Sequence, residues 1–95
     1  MLERRVPGDG PHSARIVVIG EAPGQREDAE RKPFVGPSGW RLNEWLTPVG
    51  LRRADLRVEN VCERRPPSNK IEAIPKPELV AWVDDLHDRL AALTD

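Results

Sequence analysis

Four apolar residues in a row, Ile16-Val17-Val18-Ile19, closed by Gly20, constrain this chain more than any other stretch. Such a run, bounded by turn residues, fits a strand covered on both faces, as in a parallel sheet. A second strand-like run, Leu56 to Val61, carries Leu56, Val58 and Val61. Between the two, Leu42, Trp45, Leu46 and Val49 fall at helical spacing. Ser38 is the expected N-cap of that helix, Pro48 sits near its end at about Val49, and Gly50 is a natural stop. A strand–helix–strand order implies two parallel strands joined by a right-handed crossover. A last helix is expected over residues 77–92, because Leu79, Val83, Leu86, Leu90 and Leu93 recur at steps of 4, 3, 4 and 3.

Two long loops interrupt this order, Gly20–Gly36 and Arg64–Pro77. Ten prolines and seven glycines feed such connections. Parallel sheets bind ligands beyond the carboxyl ends of their strands. Both loops leave from those ends, so residues 20–36 and 60–77 are expected on one rim.

The 95 residues suffice for one small domain with a thin stability margin. Residues 1–14 read as a flexible leader and residues 15–95 as the domain. Fifteen Lys and Arg against sixteen Asp and Glu leave a formal charge of −1, so bulk charge does not advertise a nucleic-acid partner. No run of 18 apolar residues and no apolar leader segment is present, so neither a membrane partner nor a signal peptide is expected, and the compartment reads as cytoplasmic. A single cysteine, Cys62, excludes an intrachain disulfide framework and any all-cysteine metal site within one chain. It reads as a small buried apolar residue. His12 and His87 have no partners at metal-ligand spacing, so no metal is expected.

Four short motifs carry the chemistry. Gly20-Glu21-Ala22-Pro23-Gly24 turns off the first strand, and its glycines let backbone approach a ligand; a plain turn is the alternative. Phe34, the sole phenylalanine, lies in a loop between proline and glycine. It is either a hydrophobic plug or a platform for a flat ring. Asn60 closes the second strand, where its amide offers both a donor and an acceptor, as a pyrimidine edge requires, or forms a turn. Arg64, Arg65, Asn69 and Lys70 sit among rigid prolines and suit phosphate contact, or form a solvated charged loop. Glu27, Asp28 and Glu30 read as a solvated acidic stretch. Trp40, Trp45 and Trp82, all on expected helices, read as core or interface.

Taken together, IVVIGEAPGQREDAERKPFVGPSGWRLNEWL followed by VENVCERRPPSNK resembles the uracil-DNA glycosylase superfamily, most closely its family 4 and family 5 branches. The resemblance runs from about Ile16 to Leu93. It implies a partial three-layer α/β/α sandwich with a short parallel sheet, cut short relative to the family. It implies hydrolysis of the N-glycosidic bond of a flipped uracil in DNA, within base excision repair. Glu21 matches the family's acidic position, Phe34 the aromatic that stacks on uracil, and Asn60 the asparagine that reads its edge. Gly20, Ala22, Pro23 and Gly24 match the motif lining the base, although Ala22 stands where some branches carry a water-activating aspartate.

Three departures follow from the same resemblance. Family 4 relatives hold an iron–sulfur cluster on four cysteines, but Arg64 stands where one of them belongs and the leader has no cysteine pair, so no cofactor is expected. Glu72 roughly occupies the place of a loop histidine that captures uracil-DNA covalently in one branch, which argues against capture here. The family also continues with two more strands and a histidine loop that neither His12 nor His87 matches. The expected partners are uracil-containing DNA and whatever completes the fold: a second copy, a C-terminal half or another protein. The alternatives to an enzyme are a uracil-binding module without turnover and an inactive fragment.

Overall fold

In a computed structural model, residues 5–93 are described. Strand β1 (Val17–Gly20) pairs in parallel with β2 (Arg57–Asn60), in the register Val17–Arg57 through Gly20–Asn60. Helix α1 (Gln25–Glu30) and helix α2 (Pro37–Leu46) lie between the strands, and α3 (Lys76–Ala91) follows them. This is a short parallel sheet with helices, a partial α/β fold as expected.

Strand alternation divides the sheet into two unlike faces. Val18, Leu56 and Val58 point to one side and pack with Leu42 and Leu46 of α2 and with Phe34 and Leu51. That is the hydrophobic core, and deleting a buried leucine from such a cluster costs about 2–5 kcal/mol. The intervening residues point to the other side, where Glu59 is 1% exposed and meets Arg89 of α3 at 2.9 Å and Arg57 at 2.9 Å. Arg89 also donates to the carbonyls of Asn60 (2.9 Å) and Val61 (2.8 Å) and to Asp85 (2.7 Å). Arg5 joins Glu63 (2.8 Å) to Asp85 (2.6 Å) and lies 4.9 Å above the Trp82 ring. Ion pairs and charge-assisted hydrogen bonds from Arg89 tie α3 to the sheet, beside the buried Leu86.

Several sequence-based expectations need correction. The strand run is not covered on both faces: Ile16 and Ile19 are 43% and 46% exposed, because α3 meets β2 and leaves β1 open. Loop 20–36 contains α1. The N-cap of α2 is Gly36 rather than Ser38, with Pro37 at the first helical position. Helix α2 gives way to a 3-10 turn (Thr47–Val49) before the expected stop at Gly50. Trp40 and Trp45 are exposed, not core, since only Leu42 and Leu46 of α2 face the sheet. In α3 only Leu86 is fully buried, and Val83 is exposed.

Of the expected leader, residues 1–4 lie outside the described residues. From Val6 onward the chain lies along the free side of β2. Val6 is buried and donates to the Glu63 carbonyl at 2.6 Å, and Asp9 forms an antiparallel bridge with Val58. Gly10 makes this approach with φ +106°, and a side chain there would collide with the Leu56 carbonyl. Among the described residues, no helix is long and apolar enough to cross a membrane.

Truncating a buried, hydrogen-bonded charge leaves its partners uncompensated. Arg89→Met is therefore expected to cost about 3 kcal/mol or more, read as a fall in the urea midpoint. A loss below 1 kcal/mol would show that α3 is held by other contacts.

Candidate functional site

The paired strands end together at Gly20 and Asn60. Their exits stay joined: Val61 N–H donates to the Gly20 carbonyl at 2.9 Å, and Cys62 N–H to the Glu21 carbonyl at 3.0 Å. Asn60 is 5% exposed, and its side chain falls on the face that carries Phe34. A Cβ built on Gly20 would lie 2.5 Å from Asn60 Oδ1 and 2.7 Å from Cζ of the Phe34 ring. Gly20, Phe34 and Asn60 thus meet at one point on the rim, and only a glycine leaves room for the other two. The rim joins an aromatic ring to an amide with both donor and acceptor. Beside it Pro23 is buried, Ala22 and Gly24 are half-buried, and Glu21 is exposed.

Phe34 takes a left-handed backbone conformation, φ +56°, which costs an L-residue about 1–2 kcal/mol. Two charged side chains hold it there. The Arg53 guanidinium donates to the Pro33 carbonyl at 2.6 Å and to the Phe34 carbonyl. On the other side, Glu27 accepts the N–H groups of Val35 (3.1 Å) and Gly36 (2.8 Å), the Gly24 N–H (3.1 Å) and the Ser38 hydroxyl (3.2 Å). Burial alone would raise the Glu27 pKa, but the N–H groups of Gly36, Val35 and Gly24 outweigh it and hold the carboxyl below its ordinary value.

The solvated acidic stretch is therefore corrected at Glu27, which is 6% exposed. Its spacing three residues after Gly24 is the second half of a capping box, a signal available in the sequence. Arg53 carried no such signal, since nothing local links it to a loop 19 residues earlier.

In the basic loop the side chains have partners of their own. Arg65 donates to Asn69 at 2.7 Å, Arg64 faces Glu78 of α3 at 3.6 Å, and Lys70 is exposed. Ser68 and Asn69 both have positive φ, 54° and 59°. His87 is exposed on α3, and His12 precedes β1 at the opposite end of the strands. Cys62 is fully buried, and desolvation, then Glu78 and Glu21, push its thiol pKa up. One cysteine in 95 residues cannot supply four thiolates. Among the described residues, no group of three or more His, Cys, Asp or Glu is arranged to hold a metal. The residues present do not fit a four-cysteine cluster.

The family model of the uracil DNA glycosylase superfamily matches residues 7–94. The chain belongs to that superfamily. It is 49% identical over 80 residues to a type-4 uracil-DNA glycosylase of Archaeoglobus fulgidus, covering 84% of this chain and 39% of the relative. It is 45% identical over 73 residues to the type-4 enzyme of Thermotoga maritima, covering 77% and 36%. A third, from Pyrobaculum aerophilum, is 45% identical over 65 residues, covering 68% and 33%. This superfamily chain thus spans less than two fifths of the length of the curated relatives it matches.

Two outcomes follow from these environments. A folded-state pKa below the ordinary value means Glu27 stabilises the fold fully above about pH 4.3 and ceases to as pH falls through the lowered value. Glu27→Gln should cost about 1–3 kcal/mol at neutral pH, and urea unfolding should show the gap to wild type closing in acid. Cys62 should react with a thiol reagent only as fast as the chain opens; prompt labelling of native protein would contradict its burial.

Proposed function

We propose that this chain is the base-reading part of a uracil-DNA glycosylase. The observation that carries the reading is the meeting of Gly20, Phe34 and Asn60 at the carboxyl ends of the parallel strands. A uracil flipped from DNA, at a cost of a few kcal/mol, would stack on Phe34. The Asn60 amide would meet its edge, and residues 20–24 would line it. Glu21 at the mouth would face the sugar, as a carboxylate suited to position water or to stabilise a developing sugar cation. Arg64, Arg65, Asn69 and Lys70 would lie along the DNA backbone. Hydrolysis would add water across the N-glycosidic bond, releasing uracil and leaving an abasic sugar. The reading invokes no cofactor, and a DNA substrate accords with the cytoplasmic location expected from the sequence.

Cleavage toward a uracil anion needs preorganised donors aimed at that charge. Neither His12 nor His87 is suited to the task. We assign that role to a further C-terminal portion, on this chain or on a partner. The open side of β1 supports it. The Ile16 and Gly20 carbonyls accept from β2, so by alternation the backbone groups of Val17 and Ile19 face away from it, unpaired within the sheet. The exposed side chains of Ile16 and Ile19 flank that edge. Unpaired strand edges invite pairing. Self-association in size-exclusion chromatography with light scattering is the result expected if a second copy completes this edge; a stable monomer with no exposed apolar patch would sink the need for completion.

The decisive measurement uses a single-stranded uracil-containing oligonucleotide, incubated with the chain and treated with alkali. Cleavage at uracil identifies an enzyme. No cleavage, with binding that Asn60→Ala and Phe34→Ala each abolish, identifies a uracil-binding module. No binding at all would refute the base-reading assignment for this chain.

A further inference from the structure

We propose that Glu27 and Arg53 are positioning residues that set the aromatic platform: an anion and a cation grip the loop on either side of Phe34 and hold its ring over Gly20. The inference rests on the reading of Phe34 as the base platform. The grip itself is in the contacts. Arg53 reaches back 20 and 19 residues to the carbonyls of Pro33 and Phe34. Glu27 takes the next two backbone N–H groups, those of Val35 and Gly36. Two carbonyls and two N–H groups around Phe34 are thus each held by a charged side chain.

The residue between them adopts a conformation that a phenylalanine does not take unaided, φ +56°. Such strain persists only where the surroundings over-determine it. Here each neighbouring peptide is fixed by a charge-assisted hydrogen bond, the stronger kind. The first turn of α2 closes the third side, since a side chain at Gly39 would collide with the Phe34 carbonyl.

Glu27 has a second consequence. The same carboxylate accepts from Gly24, the last residue of the first rim motif. It therefore locks the motif that follows β1 to the loop that carries the ring. One buried carboxylate thus ties the turn at Gly24 to the backbone just after the ring-bearing residue. A preorganised platform loses less freedom on binding.

Phe34 is the chain's only phenylalanine, so isotope-labelled phenylalanine gives a single spin system in NMR spectra. Its Cα shift reports the backbone conformation and its ring line widths report order. Wild type should give one sharp set of signals. Glu27→Gln and Arg53→Lys should each shift the Cα resonance and broaden the ring lines at least twofold. The lysine keeps the charge but cannot donate to two carbonyls as a fork. Glu63→Gln, which removes a different buried carboxylate, should leave the Phe34 signals unchanged.

Unchanged Phe34 signals in both Glu27→Gln and Arg53→Lys overturn the proposal, as does an equal change in Glu63→Gln. If Glu27→Gln does not fold by far-ultraviolet circular dichroism, Ser38→Ala, which removes one of the donors to Glu27, takes its place beside Arg53→Lys. Adding uracil-containing oligonucleotide separates the two readings. Phe34 signals that never respond in wild type refute the platform but not the grip. Signals that respond in wild type should be matched by about tenfold weaker binding in Glu27→Gln.

Discussion

The rim depends on one constraint, the parallel register that brings Gly20 level with Asn60. A one-residue slip would turn the Asn60 side chain to the opposite face of the sheet. It would then point toward Arg89 and away from Phe34. The register is held by unlike forces on the two sides. On the α2 side, Val18, Leu56 and Val58 must face Leu42 and Leu46 to be buried. On the α3 side, Glu59 must face Arg89 and Arg57 to be paired. Either slip would bury an unpaired carboxylate in the apolar core, so both faces select the same alignment.

This division explains how so short a chain keeps an ordered rim. The apolar cluster of Leu42, Leu46, Leu56 and Val58 is small, and it lies on one face of the sheet. The other face sets Arg5, Arg57 and Arg89 against Glu59, Glu63 and Asp85, three of each sign. Buried ions contribute little net stability over apolar groups of the same volume, but they punish misplacement. They serve geometry more than energy here. Arg89 donates directly to the carbonyls of Asn60 and Val61, so it fixes the backbone behind the Asn60 amide. Arg5 brings the N-terminal segment into the same network.

Periodicity made the two strands, their parallel order and the helices α2 and α3 legible in the sequence, because burial against a sheet imposes a repeat. It also placed residues 20–24 and 60 on one rim. Helix α1 was missed because it buries no apolar stripe; its one buried side chain is the carboxylate of Glu27. The burial of Val6 was missed because a single valine among glycine and proline has no period. Trp45 and Val49 misled for the opposite reason. They continue a helical spacing whose inner positions are only Leu42 and Leu46. At the site, Phe34 and Asn60 stood out as residue types unusual for their places. Arg53 did not, because its partners lie far away in the sequence and are backbone carbonyls that any residue could supply.

The open side of β1 bears on how the rim is built. β2 is flanked on both sides, by β1 and by the segment around Asp9, whereas β1 has one neighbour among the described residues. Asn60 therefore sits on the strand that has neighbours on both sides. Phe34 is likewise gripped by residues within this chain. Glu21 differs, because it leaves the singly paired strand and stands exposed with its backbone carbonyl tied to Cys62. The groups that would recognise a flat base are thus set by local contacts, while the carboxylate that would face the sugar lies next to the edge where more chain can pair.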